Sequence, residues 1–316
     1  MDRSEGAHGL GFLRHWYCAF AFFAALTGCL KAAANERFSC NTVVGPGDSV
    51  AVVSERLAGV PAVLRIPKMA TRPPIVLWHG FGAPASEQAL MEALPLDDVP
   101  AVKVYLGLPL FGARAPPGGI DDIIRRQTED FAALVFEPAV VGAVEELPAV
   151  VKSLEKRGCM GPNDKIGLFG FSAGGASVLM ALARREVQVS VAVTLNASTG
   201  LDASVEALER ATKRPYSWTA HSRQLAKNSD AVRHAGDIAS GHPPPALLLV
   251  HGADDAMLTP RVATSLHGAL LPHYRSTGNE PRLRLVVEPG LAHGWAGAES
   301  ADDLRRVIGA WFGKFL

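Results

Sequence analysis

The sequence predicts an α/β protein, with a mostly parallel central sheet and helices on both faces. Three observations predict it. Continuous apolar runs such as Ile75–Trp78 and Ala246–Val250 suit strands that are covered on both sides. Segments of helical composition, among them Val140–Arg157 and Ala301–Phe315, alternate with these runs. Such alternation builds a parallel sheet through right-handed crossovers. The third observation is Lys165–Ser177, where a short apolar run ends in Gly170-Phe171-Ser172-Ala173-Gly174 and an Ala-rich segment through Arg185 follows. Strand, sharp turn and helix in that order hold a serine in strained backbone geometry. Gly170, Ala173, Gly174 and Gly175 leave room for the close approach.

Composition narrows the function classes. The chain has 316 residues, 48% of them hydrophobic, enough for one large core in a single domain. Lys+Arg 31 balance Asp+Glu 31, so the basic face of a nucleic-acid binder is not expected. The chain has no CxxC, no His pair at metal-ligand spacing, no P-loop and no dinucleotide fingerprint. Neither a metal nor another cofactor is therefore expected.

The amino terminus reads as an export signal. Residues 1–15 are polar and include Arg3, Arg14 and His15, and Trp16–Leu30 is almost uniformly apolar. That run falls short of the ~20 residues of a comfortable membrane span and fits a signal-peptide core. Two cleavage readings stand at its end. Leu26-Thr27-Gly28-Cys29 has the form of a bacterial lipobox, with Cys29 as the lipidated first residue and a membrane anchor. Ala32-Ala33-Ala34 has the form of an ordinary site cut before Asn35. Residues 1–34 are thus set apart as a signal. The protein is expected to be periplasmic, membrane-anchored or secreted, with the lipobox reading in the lead. An oxidising compartment permits a bond between Cys40 and Cys159. The expected strand positions argue against it, since Cys40 would precede an edge strand and Cys159 a central one, several strands away at about 5 Å each.

From residue 35 to 316 the chain reads as one catalytic-size domain. Ser49–Val53 and Val60–Ile66 form an antiparallel pair at the sheet edge. Ile75–Trp78 is a buried strand that ends in His79-Gly80-Phe81-Gly82. A helix over Ser86–Leu94, a strand over Val102–Leu106, a loop over Leu108–Gly119 and the helix Val140–Arg157 lead to the turn at Ser172. Val187–Leu195 is the next strand. Residues 196–245 then break the rhythm with three helical pieces, Val205–Lys213, Ser217–Lys227 and Ala231–Ala239. Long inserted segments usually serve function, so this one is read as a small cap over the substrate pocket. Ala246–Val250 ends in His251-Gly252-Ala253-Asp254-Asp255, and the helix Pro260–Leu271 follows. The strand Arg282–Val287 opens into a loop that contains His293, before the last helix.

These motifs together resemble the α/β-hydrolase superfamily, particularly its dienelactone-hydrolase and prolyl-oligopeptidase-like branch. The resemblance runs from about Val60 to the C-terminus. It rests on His79-Gly80-Phe81-Gly82, the turn at Ser172, His251-Gly252-x-x-Asp255 and the late His293-Gly294. It implies a triad in the chain order Ser172, Asp255, His293. A serine hydroxyl attacks only when an imidazole takes its proton, and an acid fixes that imidazole's tautomer. The resemblance also supplies an oxyanion hole from the backbone N–H groups of Phe81 and Ala173. Between the adjacent acids, which point to opposite sides, the spacing selects Asp255 and leaves Asp254 as a turn residue bonding local backbone N–H groups. His79 and His251 are read as structural hydrogen-bonders, Arg114 as an exposed loop arginine and Trp295 as a packing residue.

The function implied is a serine hydrolase that cleaves a small-molecule carboxylic ester through an acyl-enzyme. Peptidases of this branch usually carry a further amino-terminal domain, for which residues 35–60 are too few, so esters are expected ahead of peptides. A catalytically silent, lipid-anchored binding protein on the same fold is the contrasting class. The intact triad argues against it.

Overall fold

In the computed structural model, which describes Cys40 and residues 42–316, the chain joins the sheet at an edge. The segment read as an export signal, with Cys29 and Asn35, lies outside the described residues. β1 (Val50–Leu57) and β2 (Val60–Pro67) pair antiparallel, with Leu57 opposite Val60. Ala58 and Gly59 between them both take positive φ, the two-residue turn whose twist matches that of the strands. β3 (Arg72–Trp78) follows, then α1 (Glu87–Ala93), where the Ser86 hydroxyl accepts the Ala89 N–H as an N-cap. β4 (Ala101–Leu106) pairs antiparallel with β2 and parallel with β3.

From β3 onward the sheet is parallel. β5 (Ile166–Phe171), β6 (Val189–Leu195), β7 (Ala246–Gly252) and β8 (Leu283–Glu288) complete the order β1-β2-β4-β3-β5-β6-β7-β8. This is the α/β-hydrolase fold. The register aligns Trp78 with Gly170, Leu195 with Val250, and Gly252 with Glu288. The carboxyl ends of β3, β5, β6, β7 and β8 therefore share one end of the sheet, where ligands bind in open α/β folds.

Side-chain alternation divides the core into two layers. On β3, Val76 and Trp78 join the layer that contains Val144, Leu147 and Leu179, whereas Ile75 and Leu77 join the one that contains Leu90, Ile308 and Phe312. The latter helices are α1 and the last helix of the chain.

The helix expected from Val140 starts much earlier. α2 (Gly119–Phe131) runs into a π-helical stretch over Ala132–Val141 and then α3 (Gly142–Lys156). Asp130 marks a kink with non-helical φ and ψ. Pro138 falls inside the wider π turn and Pro148 inside α3, so neither proline ends the run. Beyond β5 come α4 (Ala173–Arg184) and, after β6, the insertion. It contains α5 (Leu201–Thr212), α6 (Ala220–Ser229) and the short α7 (Ala235–Ile238). Two bonds dock the insertion on the helix before it. Tyr216 donates its hydroxyl proton to Asp130 at 2.6 Å, and His221 meets Glu137 at 2.7 Å. α8 (Arg261–Ser276), β8 and α9 (Ala301–Phe315) close the chain.

The expectation against a disulfide is overturned. Cys40 and Cys159 form a disulfide, with Cα atoms 4.2 Å apart across 119 residues of sequence. Counting strands measured the wrong path. Cys159 follows the end of α3, and that end lies at the sheet edge, where Arg157 pairs with Glu55 of β1. The chain passes Cys40 there before it turns into the central strand. Removing a bridge that closes so long a loop costs typically about 2–4 kcal/mol. The Cys159→Ser protein is expected to lose that much in urea unfolding, and an unchanged midpoint and slope would contradict it.

Candidate active site

Ser172 stands at the turn from β5 into α4, with φ 53° and ψ −117°, a strained conformation for a residue with a side chain. The fold holds it there from several sides. Its N–H donates to Leu195 O at 3.0 Å, and its carbonyl accepts the Ser198 N–H at 3.2 Å. Gly174 lies so close to β3 that a Cβ there would meet His79 O at 2.5 Å and Trp78 O at 2.6 Å. Only glycine allows the turn to seat against the neighbouring strand.

Three sequence-selected residues meet at this point. The His293 Nδ1–H donates to Asp255 Oδ2 at 2.7 Å, and His293 Nε2 accepts the Ser172 hydroxyl at 3.0 Å. A carboxylate only accepts, so Asp255 fixes the proton on Nδ1 and leaves Nε2 as the acceptor. The other oxygen of Asp255 accepts the Met257 N–H at 2.9 Å and the Leu258 N–H at 2.8 Å. Burial pushes the Asp255 pKa up. The hydrogen bonds from His251, His293 and the Leu258 N–H outweigh that and hold it well below the usual carboxylate range.

The expectation for Asp254 is corrected here. It does not take the turn N–H groups, which go to Asp255. The Asp254 side chain is exposed, and its backbone N–H donates to Leu291 O. One carboxylate thus both caps its own turn and orients the imidazole.

Phe81 and Ala173 flank Ser172. Ala173 opens α4, so its N–H has no partner within the helix. Phe81 follows Gly80, where a Cβ would come within 2.9 Å of Ser172 Cβ. The Phe81 ring stacks on Phe111 at 4.5 Å and meets Phe131 edge-on at 6.5 Å. His79 is buried and neutral. Desolvation lowers its pKa to about 4, its Nδ1–H donates to Gly80 O at 2.7 Å, and its Nε2 accepts the Leu108 N–H at 3.1 Å. It ties the Phe81 loop to the Phe111 loop.

His251 is also buried. Its Nε2–H donates to Leu258 O at 2.5 Å, with Asp255 Oδ2 3.4 Å away. Trp295 is fully buried and packs edge-on against Phe171 at 6.3 Å. Arg114 is not an exposed loop arginine. It makes a two-pronged ion pair with Glu146 at 2.6 and 2.7 Å and also donates to Gly107 O. One residue that no sequence signature marks, Asn196, lies fully buried among the same loops. Among the described residues no cluster of His, Cys, Asp and Glu could hold a metal ion.

The profile of the prolyl oligopeptidase family matches residues 130–316, more than half of the chain and the part that carries Ser172, Asp255 and His293. The chain belongs to that family. Among curated protein sequences none matches it. Solved structures share the fold at low identity. TT1662 from Thermus thermophilus is 20% identical with TM-score 0.63, over 83% of this chain and 98% of that one. A puromycin-hydrolyzing peptidase from Mycobacterium tuberculosis is 18% identical with TM-score 0.57, over 86% of this chain and only 40% of its own length. An esterase/lipase from an uncultured bacterium is 17% identical with TM-score 0.53, over 95% of this chain and 93% of that one. The prolyl oligopeptidase family lies within the α/β-hydrolase superfamily, and the chain is a hydrolase of that type.

Proposed function

We propose that the protein is a serine hydrolase that cleaves carboxylic esters through an acyl-enzyme. The observation that supports it most is the hydrogen-bonded series from Ser172 through His293 to Asp255. In this reading Ser172 Oγ attacks the ester carbonyl while His293 Nε2 takes its proton. His293 then passes the proton to the leaving alcohol, and Asp255 stabilises the imidazolium between the two events. The N–H groups of Phe81 and Ala173 bind the tetrahedral oxyanion, each worth about 2.7–4 kcal/mol in the barrier. Water, activated by the same imidazole, releases the acid.

Apolar surroundings favour an ester. Phe81 rests on Phe111, and Met257 is exposed two residues after Asp255. Arg114, which could otherwise meet a substrate carboxylate, is held by Glu146. The insertion at 196–245 acts as a cap in this reading. It also borders a groove of about 520 Å³ lined by Ile124, Asp130, Leu208, Arg214 and Tyr216, which is separate from Ser172, Asp255 and His293 and does not bear on the cap reading. Export, by lipidation at Cys29 or by cleavage before Asn35, agrees with the disulfide, which persists in oxidising compartments.

The family match favours a second reading, a peptidase. Purified protein assayed on p-nitrophenyl esters of rising acyl length and on aminoacyl p-nitroanilides separates the two. Ester turnover with labelling of Ser172 by a fluorophosphonate is the expected result. Faster amide than ester turnover would replace the ester reading. Failure of both hydrolysis and labelling would leave a silent binding protein.

A further inference from the structure

We infer that Asn196 is a positioning residue that locks the acid-bearing loop to the histidine-bearing loop. The inference rests on the reading of Ser172, Asp255 and His293 as the reacting groups. Asn196 directly follows β6 and is fully buried. Its φ is 45°, in the left-handed region that Asn tolerates better than most residues. Its backbone N–H donates to Val250 O at 2.9 Å, near the end of β7.

The side chain makes three hydrogen bonds, one through its oxygen and two through its NH₂ group. Oδ1 accepts the Gly252 N–H at 2.8 Å, three residues before Asp255. Nδ2 donates to Ala292 O and to His293 O, each at 2.9 Å. One amide group therefore holds main-chain atoms on both sides of the His293–Asp255 bond. The residue before it, Leu195, accepts the Ser172 N–H, so the same strand end also meets the nucleophile's turn.

Such a clamp has a chemical reason. His293 sits in a stretch without helix or strand between β8 and α9, and regular backbone pairing does not place it. The proton relay needs Nε2 and Nδ1 on target at once, and a misplacement of about 1 Å can cost about 100-fold in rate. Asn196 fixes the His293 carbonyl against the strand end that leads to Asp255. It touches no reacting atom, so it acts through the two residues that do.

Two variants test this. Asn196→Gly accepts the positive φ and removes only the side chain. Asn196→Asp keeps the shape and the acceptor but turns an acceptor toward two carbonyl oxygens. Both are expected to lose about 100-fold in kcat, with KM changed less than about threefold. The pH profile of kcat/KM is expected to move in both variants, because the His293–Asp255 geometry is no longer held. A residue that serves only the fold would lower Tm and leave kcat and the pH profile of the folded enzyme unchanged. That result, in either variant, overturns the inference, and the isosteric Asp form carries the test if the Gly form does not accumulate. Ser172→Ala is measured beside them. If it keeps turnover, the reading of the site has failed. If it is inactive while both Asn196 variants turn over normally, only the positioning role has failed.

Discussion

Ser172→Ala is expected to fold as the parent does and to lose turnover by about 10⁴-fold or more. Alanine removes only the hydroxyl, whose one side-chain hydrogen bond is to His293. It leaves the turn, the Leu195 and Ser198 backbone bonds and the close seat at Gly174 in place. Ser172→Gly is equally unable to attack and relieves the φ of 53°. It should gain stability, since residues held in such regions cost on the order of 1–3 kcal/mol. Turnover and urea unfolding measured on both proteins check the pair. Near-parental turnover in either would remove Ser172 from the chemistry.

Asp255→Asn is expected to cost about 10⁴-fold in kcat. An Asn can still cap the Met257 and Leu258 N–H groups with its carbonyl, so the turn survives. Its NH₂ then faces His293 Nδ1 and forces that nitrogen to accept. The ring proton moves to Nε2, where it points at Ser172 and cannot take the hydroxyl proton. Asp254→Asn, on an exposed side chain, should change stability by less than about 0.5 kcal/mol and leave kcat unchanged. A larger loss of turnover in the Asp254 protein would overturn this assignment. The depressed pKa also fixes a sign. Asp255 lends stability that is fully present above its ordinary value of about 3.9 and is lost as the pH falls below that toward its folded value. Any acid limb in activity at higher pH must therefore belong to another group.

Much of the site was legible because its constraints are local. The turn at Ser172 needs small residues at fixed offsets, and the His-Gly-x-x-Asp spacing of the family that the chain resembles pointed to Asp255, the residue that hydrogen-bonds His293, over Asp254. The division of labour between those two acids was not legible. Which carboxylate takes a turn's N–H groups depends on backbone angles that the string of letters does not carry. The Cys40–Cys159 bond escaped for a topological reason, since it depends on where the far end of α3 comes to rest. The helix from Gly119 escaped because Pro138 reads as a stop, and only the wider π turn accommodates it. Asn196 escaped because a single Asn at a strand end looks like any other turn residue until its partners, 56 and 96 residues away, are seen.

The way the 196–245 passage is rooted limits what its length can cost. It leaves β6 at Asn196 and returns at Ala246 on the adjacent, paired strand, and within it Ala231 N–H closes back on Thr199 O at 2.8 Å. Its two ends are therefore fixed by the sheet, whatever lies between them. Doubling such a loop adds only about 0.6 kcal/mol of closure entropy. Between those ends, a change in length therefore costs the fold little beyond the Tyr216–Asp130 and His221–Glu137 bonds that dock the passage. The passage cannot be exchanged from its first residue, since the Ser198 N–H holds the Ser172 carbonyl and Ala197 fills the space beside Gly175.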